Sequence, residues 1–134
     1  MPKLIYSSQE HHNRDGSGSW FLPAVKCDDP ASQRYQDYLG EMLVDDVWPQ
    51  QCAGLLAQVS DVQSGKIEET DHAANGWITV INRSGVTITH QYVEDYQDEA
   101  LGHFTLAEFR AALEGWCRFL AKMDDKSATV EVEL

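Results

Sequence analysis

Residues Phe104–Met123, FTLAEFRAALEGWCRFLAKM, decide the fold, because they read as one amphipathic helix that has to be covered along one side. Phe109, Leu113, Trp116 and Leu120 recur at i, i+4, i+7 and i+11 and lay a single apolar stripe, which Ala112, Phe119 and Met123 widen. Thr105 stands where it caps the free backbone N–H groups, and Glu108, three residues on, completes a capping box. Phe104 and Phe109 occupy the positions of a hydrophobic staple at the entry. Arg110, Glu114, Arg118 and Lys122 fall on the opposite, wet face. A stripe of this kind needs a sheet or a second helix against it.

The residues upstream supply the sheet. After Gly65 the apolar period changes from 3.6 to 2, with a half-exposed or edge strand over Lys66–His72 and an Asn75-Gly76 turn. Trp77–Ile81 and Val86–Val93 are the strongest strands, joined by Asn82-Arg83-Ser84-Gly85, whose final glycine suits a turn. Val86, Ile88, His90 and Tyr92 share one face of the second strand; Thr87, Thr89, Gln91 and Val93 share the other. That is the pattern of an antiparallel meander with one wet side.

Further upstream, Lys3–Ser8 and Trp20–Val25 read as two strands that can pair as a hairpin, with the polar stretch 9–19 as their loop and Pro23 marking the second as an edge strand or as a strand that ends there. Asp29 and Pro30 open a helix over Ala31–Val44, on which Tyr35, Leu39, Met42 and Leu43 keep helical spacing while Gly40 weakens the middle. Trp48-Pro49 ends it and starts another helix, in which Cys52, Leu55, Leu56 and Val59 carry the apolar face and Gly65 supplies the stop. The tail, TVEVEL, alternates and reads as a last edge strand or a frayed end. The order β-β-α-α-β-β-β-α, with that final strand, specifies an α+β fold: an antiparallel β-sheet of hairpins and a meander, with helices packed on one face.

At 134 residues the chain makes a single domain, 1–134, with length enough for a core of its own. Lys and Arg number 10 against 22 Asp and Glu, a formal charge of −12. That balance repels phosphate backbones and anionic lipid, so neither nucleic acid nor membrane is expected as a partner; it attracts basic proteins, and it also serves solubility alone. Cys27, Cys52 and Cys117 are odd in number and form no C-x-x-C pair, so no disulfide framework is expected, and Cys52 and Cys117 read as small core residues. No charged leader with an apolar core follows Met1, and no apolar run reaches membrane-span length, which points to a cytoplasmic protein.

The chemistry-bearing residues do not assemble into a catalytic motif. His11, His12, His72, His90 and His103 have no metal-ligand spacing, and no nucleophile elbow, phosphate loop or dinucleotide fingerprint occurs, so no catalytic residue, metal or cofactor is expected. His90 reads as a sheet histidine hydrogen-bonded to a neighbour, with a general base in a small enzyme as the lesser alternative. What stands out is charge. Asp28–Asp46 carries six acids against Arg34, and Glu68–Glu99 carries seven against Arg83. These are either solvated faces or acidic patches that steer a basic partner, with Tyr38 and Tyr96 as aromatic anchors. On the second reading the contact residues are Asp37, Glu41, Asp45 and Asp46 along one helix, and Glu94, Asp95, Tyr96, Asp98 and Glu99 in the loop before the capped helix.

The sequence of features Leu55-Leu56, Val59, Ser64-Gly65, Asn75-Gly76-Trp77, Val86-x-Ile88, Glu94-Asp95 and FTLAEFRAALEGWCRFL resembles bacterial toxin-immunity proteins, particularly those of contact-dependent growth inhibition systems, over roughly residues 50 to 121. The resemblance implies a non-enzymatic cytoplasmic protein that binds the toxic C-terminal domain of a polymorphic toxin, often a nuclease (RNase or DNase), and neutralises it stoichiometrically. A nuclease presents a basic cleft, which an acidic inhibitor suits. Free of the toxin, the protein is expected as a monomer or weak homodimer. A small acidic adaptor for another basic cellular protein is the alternative. The candidate contacts come from this chain's charge and not from the family.

Overall fold

The computed structural model describes residues 2–134. Alternating burial shapes its first sheet. Strand β1 (Lys3–His12) turns Leu4 and Tyr6 inward and pairs antiparallel with β2 (Ser19–Cys27) on one side and with β7 (Thr129–Glu133) on the other. Tyr6 lies opposite Val25 in one ladder and Val130 in the other, so the inward residues of three strands meet in one layer. Pro23 sits on the outer strand, where a missing N–H breaks no ladder. The polar residues Gln9–His12, expected in a loop, instead extend β1, and the turn closes only where Asn13 N–H donates to Gly18 O at 2.9 Å. Beyond Tyr6 and Val25 the ladder continues outward through Gln9–Leu22, Glu10–Phe21 and His11–Trp20, with Trp20, Phe21 and Leu22 half-exposed and the rings of His11 and Trp20 stacked 5.8 Å apart.

The second sheet is a meander of β3 (Glu69–Ala73), β4 (Trp77–Asn82), β5 (Gly85–His90) and a two-residue β6 (His103–Phe104). Trp77, Ile81, Val86, Ile88 and Phe104 fill its inner face. Strand β5 stops three residues short of the expected Val93, because Tyr92 and Val93 direct their N–H groups to Nδ1 of His90, both at 3.1 Å, and bend the chain away. Tyr92, expected beside Val86 and Ile88, is therefore 78 % exposed. No periodicity announces β6; Phe104 is placed there by pairing with Val86.

The three helices follow their sequence signals with two instructive departures. Asp29 caps the first helical stretch, accepting Ala31 N–H at 3.0 Å, and the chain then runs through a π-helical turn (Tyr35–Gly40) into α1 (Glu41–Asp46). A Cβ on Gly40 would lie 2.5 Å from Cγ1 of Val25, so the glycine that weakens the helix in isolation is what lets it press against β2. Helix α2 (Cys52–Ser64) ends at Gly65, whose φ of +81° makes the left-handed cap. Helix α3 (Leu106–Leu120) carries the full capping box: Glu108 N–H donates to Thr105 Oγ1 at 3.0 Å, and Thr105 N–H to Glu108 Oε1 at 2.9 Å.

Helix α3 is the spine of the core. Phe109, Ala112, Leu113, Trp116 and Phe119 are buried, against β1 and β7 on one side and beside α2 on another. Tyr6 donates its hydroxyl to Ala112 O at 2.8 Å, and Trp116 donates its indole N–H to Val47 O at 2.9 Å. Arg110, read as a surface residue, reaches α2 through Ser60 Oγ at 2.9 Å and Gln63 Oε1 at 2.6 Å while pairing with Glu114 at 2.7 Å. The expectation that Cys52 and Cys117 are separate core thiols is also corrected: they form a disulfide between α2 and α3, with Cα atoms 5.9 Å apart, and Cys27 stays a buried free thiol. Spacing in the chain does not reveal this pairing; the packing of two helices creates it. Among the described residues, no helix is long and apolar enough to cross a membrane.

Candidate acidic and aromatic cleft

Helical spacing carries three acids to one place. Asp37 lies in the π-helical turn, and Glu41 and Asp45 follow it at successive turns, so the three line one wall of a cleft of about 280 Å³. The opposite wall comes from the meander and its following loop, as Trp77, His90, Val93 and Tyr96. The rings form a connected group: Trp77 stands 4.8 Å from His90 and 5.8 Å from Tyr96, and Tyr38 packs edge-on to Tyr96 at 5.9 Å.

Hydrogen bonds fix the spacing between the walls. Asp45 Oδ2 accepts the indole N–H of Trp77 at 2.9 Å, and Asp45 O accepts the side-chain amide of Asn75 at 3.0 Å. His90 Nδ1 is occupied by two backbone N–H groups, so the neutral ring keeps its proton on Nε2, as a hydrogen-bonded sheet histidine does. Tyr38 is buried, and its hydroxyl oxygen accepts Asp98 N–H at 3.3 Å, which ties the acidic loop to the helix.

Negative charge is concentrated here without internal compensation. Among the described residues, the ion pairs are Lys3–Glu131, His12–Glu10 and Arg110–Glu114, and none involves a cleft acid. Glu41 registers the crowding: burial, and then the carboxylates of Asp45 and Asp37, push its carboxyl above its ordinary value. An external cation relieves the repulsion among these carboxylates, and the half-buried ring of Tyr96 beside them adds cation–π attraction for Lys or Arg. Among the described residues, no group of three or more His, Cys, Asp or Glu is arranged to hold a metal ion.

The residues singled out by charge separate into three sets. Asp37, Glu41, Asp45 and Tyr96 meet in the cleft. Glu94 and Asp95 share Tyr96's turn and are exposed beside it, and Glu99 is exposed further along the loop; Asp98 is exposed too, but its carboxylate is engaged with the N–H groups of Ala100 and Leu101. Asp46 is a correction. It is fully buried, its Oδ1 accepts Asn75 N–H at 3.0 Å, and burial pushes its carboxyl up, so it braces the fold and offers nothing to a partner. Trp77 and Val93 were not picked out from the sequence as site residues; the available signal for Trp77 was its register opposite His90 across the hairpin. No protein-family model, curated protein or solved structure matches the chain.

Proposed function

We propose that the protein is an immunity protein that binds and neutralises a cognate polymorphic toxin domain, a nuclease, in the cytoplasm. The observation that carries this reading is the cleft in which Asp37, Glu41 and Asp45 stand uncompensated opposite Trp77 and Tyr96. Such a surface accepts a Lys or Arg side chain from a basic cleft in place of a nucleic-acid phosphate, and the exposed Glu94, Asp95 and Glu99 beside it steer the encounter. The resemblance over residues 50 to 121 supplies the partner class. No chemical step is assigned to the protein; inhibition is by occupancy.

The test is isolation of the tagged protein from its own producing cells, followed by identification of any stoichiometric bound chain and titration of the complex with salt. One basic fragment from the C-terminus of a large secreted protein, released by salt and inhibited as a nuclease by the purified protein, supports the reading. Binding spread over many basic proteins favours an adaptor instead. The triple substitution Asp37→Asn, Glu41→Gln and Asp45→Asn is expected to weaken the complex at least tenfold and to flatten its salt dependence.

A further inference from the structure

A second surface adjoins the acidic cleft and is of opposite character. Val44, Val47, Trp48, Trp116, Leu120 and Met123 line a groove of about 650 Å³ between the end of α1 and the end of α3. Trp48 stands 51 % exposed at its rim, although the neighbouring Trp116 is buried. Water contact for a large indole is a cost that the fold has not removed, and the remedy available within the chain, tucking Trp48 beside Trp116, is not taken.

Asp45 lines both the groove and the acidic cleft, so the two adjoin at that residue, whose carboxylate is held on the cleft side by the Trp77 indole. Lys126, which does not line the groove, donates to O of the lining residue Met123 at 3.2 Å and lies 5.5 Å over the ring of Phe21, so that cation is engaged. A second copy of a chain with formal charge −12 is a poor occupant, since each approach brings like charge together. A segment with an apolar anchor and a neighbouring Lys or Arg matches both features: the anchor covers Trp48, and the cation reaches the acidic cleft.

We infer that this groove docks an amphipathic, basic segment of the partner protein, seating an apolar side chain against Trp48 while the adjacent Lys or Arg enters the Asp37, Glu41 and Asp45 cleft. The inference rests on the inhibitor reading for the identity of the partner, and the surface chemistry can be tested without it. Trp is among the residue types that most often dominate binding at an interface.

The probe is a fluorescein-labelled helical peptide with Leu on one face and Lys on the other, compared with a peptide carrying Glu for each Lys and one carrying Ser for each Leu. By anisotropy on the full chain, the Leu/Lys peptide should bind more tightly than either control. Trp48→Ala should weaken it at least tenfold and leave the Ser/Lys peptide unaffected. On unsubstituted protein, the indole N–H resonances of Trp48 and Trp116 should shift on titration while that of Trp20 does not, a readout that needs no variant. Equal binding of the Leu/Glu peptide, indifference to Trp48→Ala, or unmoved Trp48 and Trp116 resonances would overturn the inference. So would sedimentation showing a dimer that Trp48→Ala dissolves, because the occupant would then be a second copy. Failure here leaves the toxin complex to be judged by its own isolation, and absence of a toxin leaves the peptide result standing.

Discussion

The carboxylate of Asp45 accepts the indole N–H of Trp77 at 2.9 Å, tying the last turn of α1 to the first residue of β4. Asn75 and His72 reinforce the join through Asp45 O at 3.0 Å and Asp46 O at 2.9 Å. One acid therefore braces the cleft and also supplies part of its charge. Asp45→Ala removes the acceptor of the Trp77 N–H from a part-buried bond and should cost about 0.5–1.5 kcal/mol. Asp45→Asn keeps an acceptor and should retain most of that stability while losing charge. Urea denaturation compares the two, and equal stabilities would mean that the bond contributes nothing to the fold.

Glu41 sets a pH dependence whose sign is opposite to that of a salt-bridged carboxylate. Its carboxyl is pushed up in the folded protein, by burial first and by Asp45 and Asp37 next, so the folded state holds the proton more tightly than the unfolded chain. Stability from this group is present below its ordinary carboxyl range and falls as pH rises through the raised value. Glu41→Gln should therefore stabilise the protein at pH 7, with the advantage disappearing below about pH 4. Thermal melts across that range check it; an advantage that grows toward acid would reverse the assignment.

Trp116 joins three parts of the core: it lies edge-on to Tyr6 at 5.3 Å, packs at a tilt against Phe119 at 5.6 Å and donates its indole N–H to Val47 O. Trp116→Ala should cost about 3–5 kcal/mol, from lost burial and an unfilled cavity. A melting temperature equal to that of the unsubstituted protein would contradict its place at the centre of α3's packing.

The disulfide between Cys52 and Cys117 closes a loop of 65 residues, and removing it should cost about 4 kcal/mol by chain entropy. Because such bonds are rare in reducing compartments, the cytoplasmic reading implies that helices α2 and α3 hold together on their packing when the pair is reduced. Denatured, oxidised protein should titrate for Cys27 alone, and reductant should release all three thiols and lower the melting temperature. Three free thiols without any reductant would remove the crosslink from the account.

What the sequence determined by itself is the set of elements governed by neighbours along the chain. The capping box of Thr105 and Glu108, the apolar stripe of α3, the left-handed stop at Gly65, the hairpin turns, and the period-2 tail that becomes β7 all depend on residues within a turn or two of each other. The negative stripe of Asp37, Glu41 and Asp45 was legible for the same reason, since helical spacing alone sets it. Tertiary structure decided what faces that stripe and which acids are available. Trp77 and Tyr96 reach the cleft through strand register and loop return, and Asp46, one residue from Asp45, is turned into the core by a rotation of about 100° per residue. It also decided the Cys52–Cys117 pair, the reach of Arg110 to α2 and the use of Gly40 as a contact point with Val25. Each of these depends on the distance between elements far apart in the chain, and that distance is fixed only when their apolar faces close on one core.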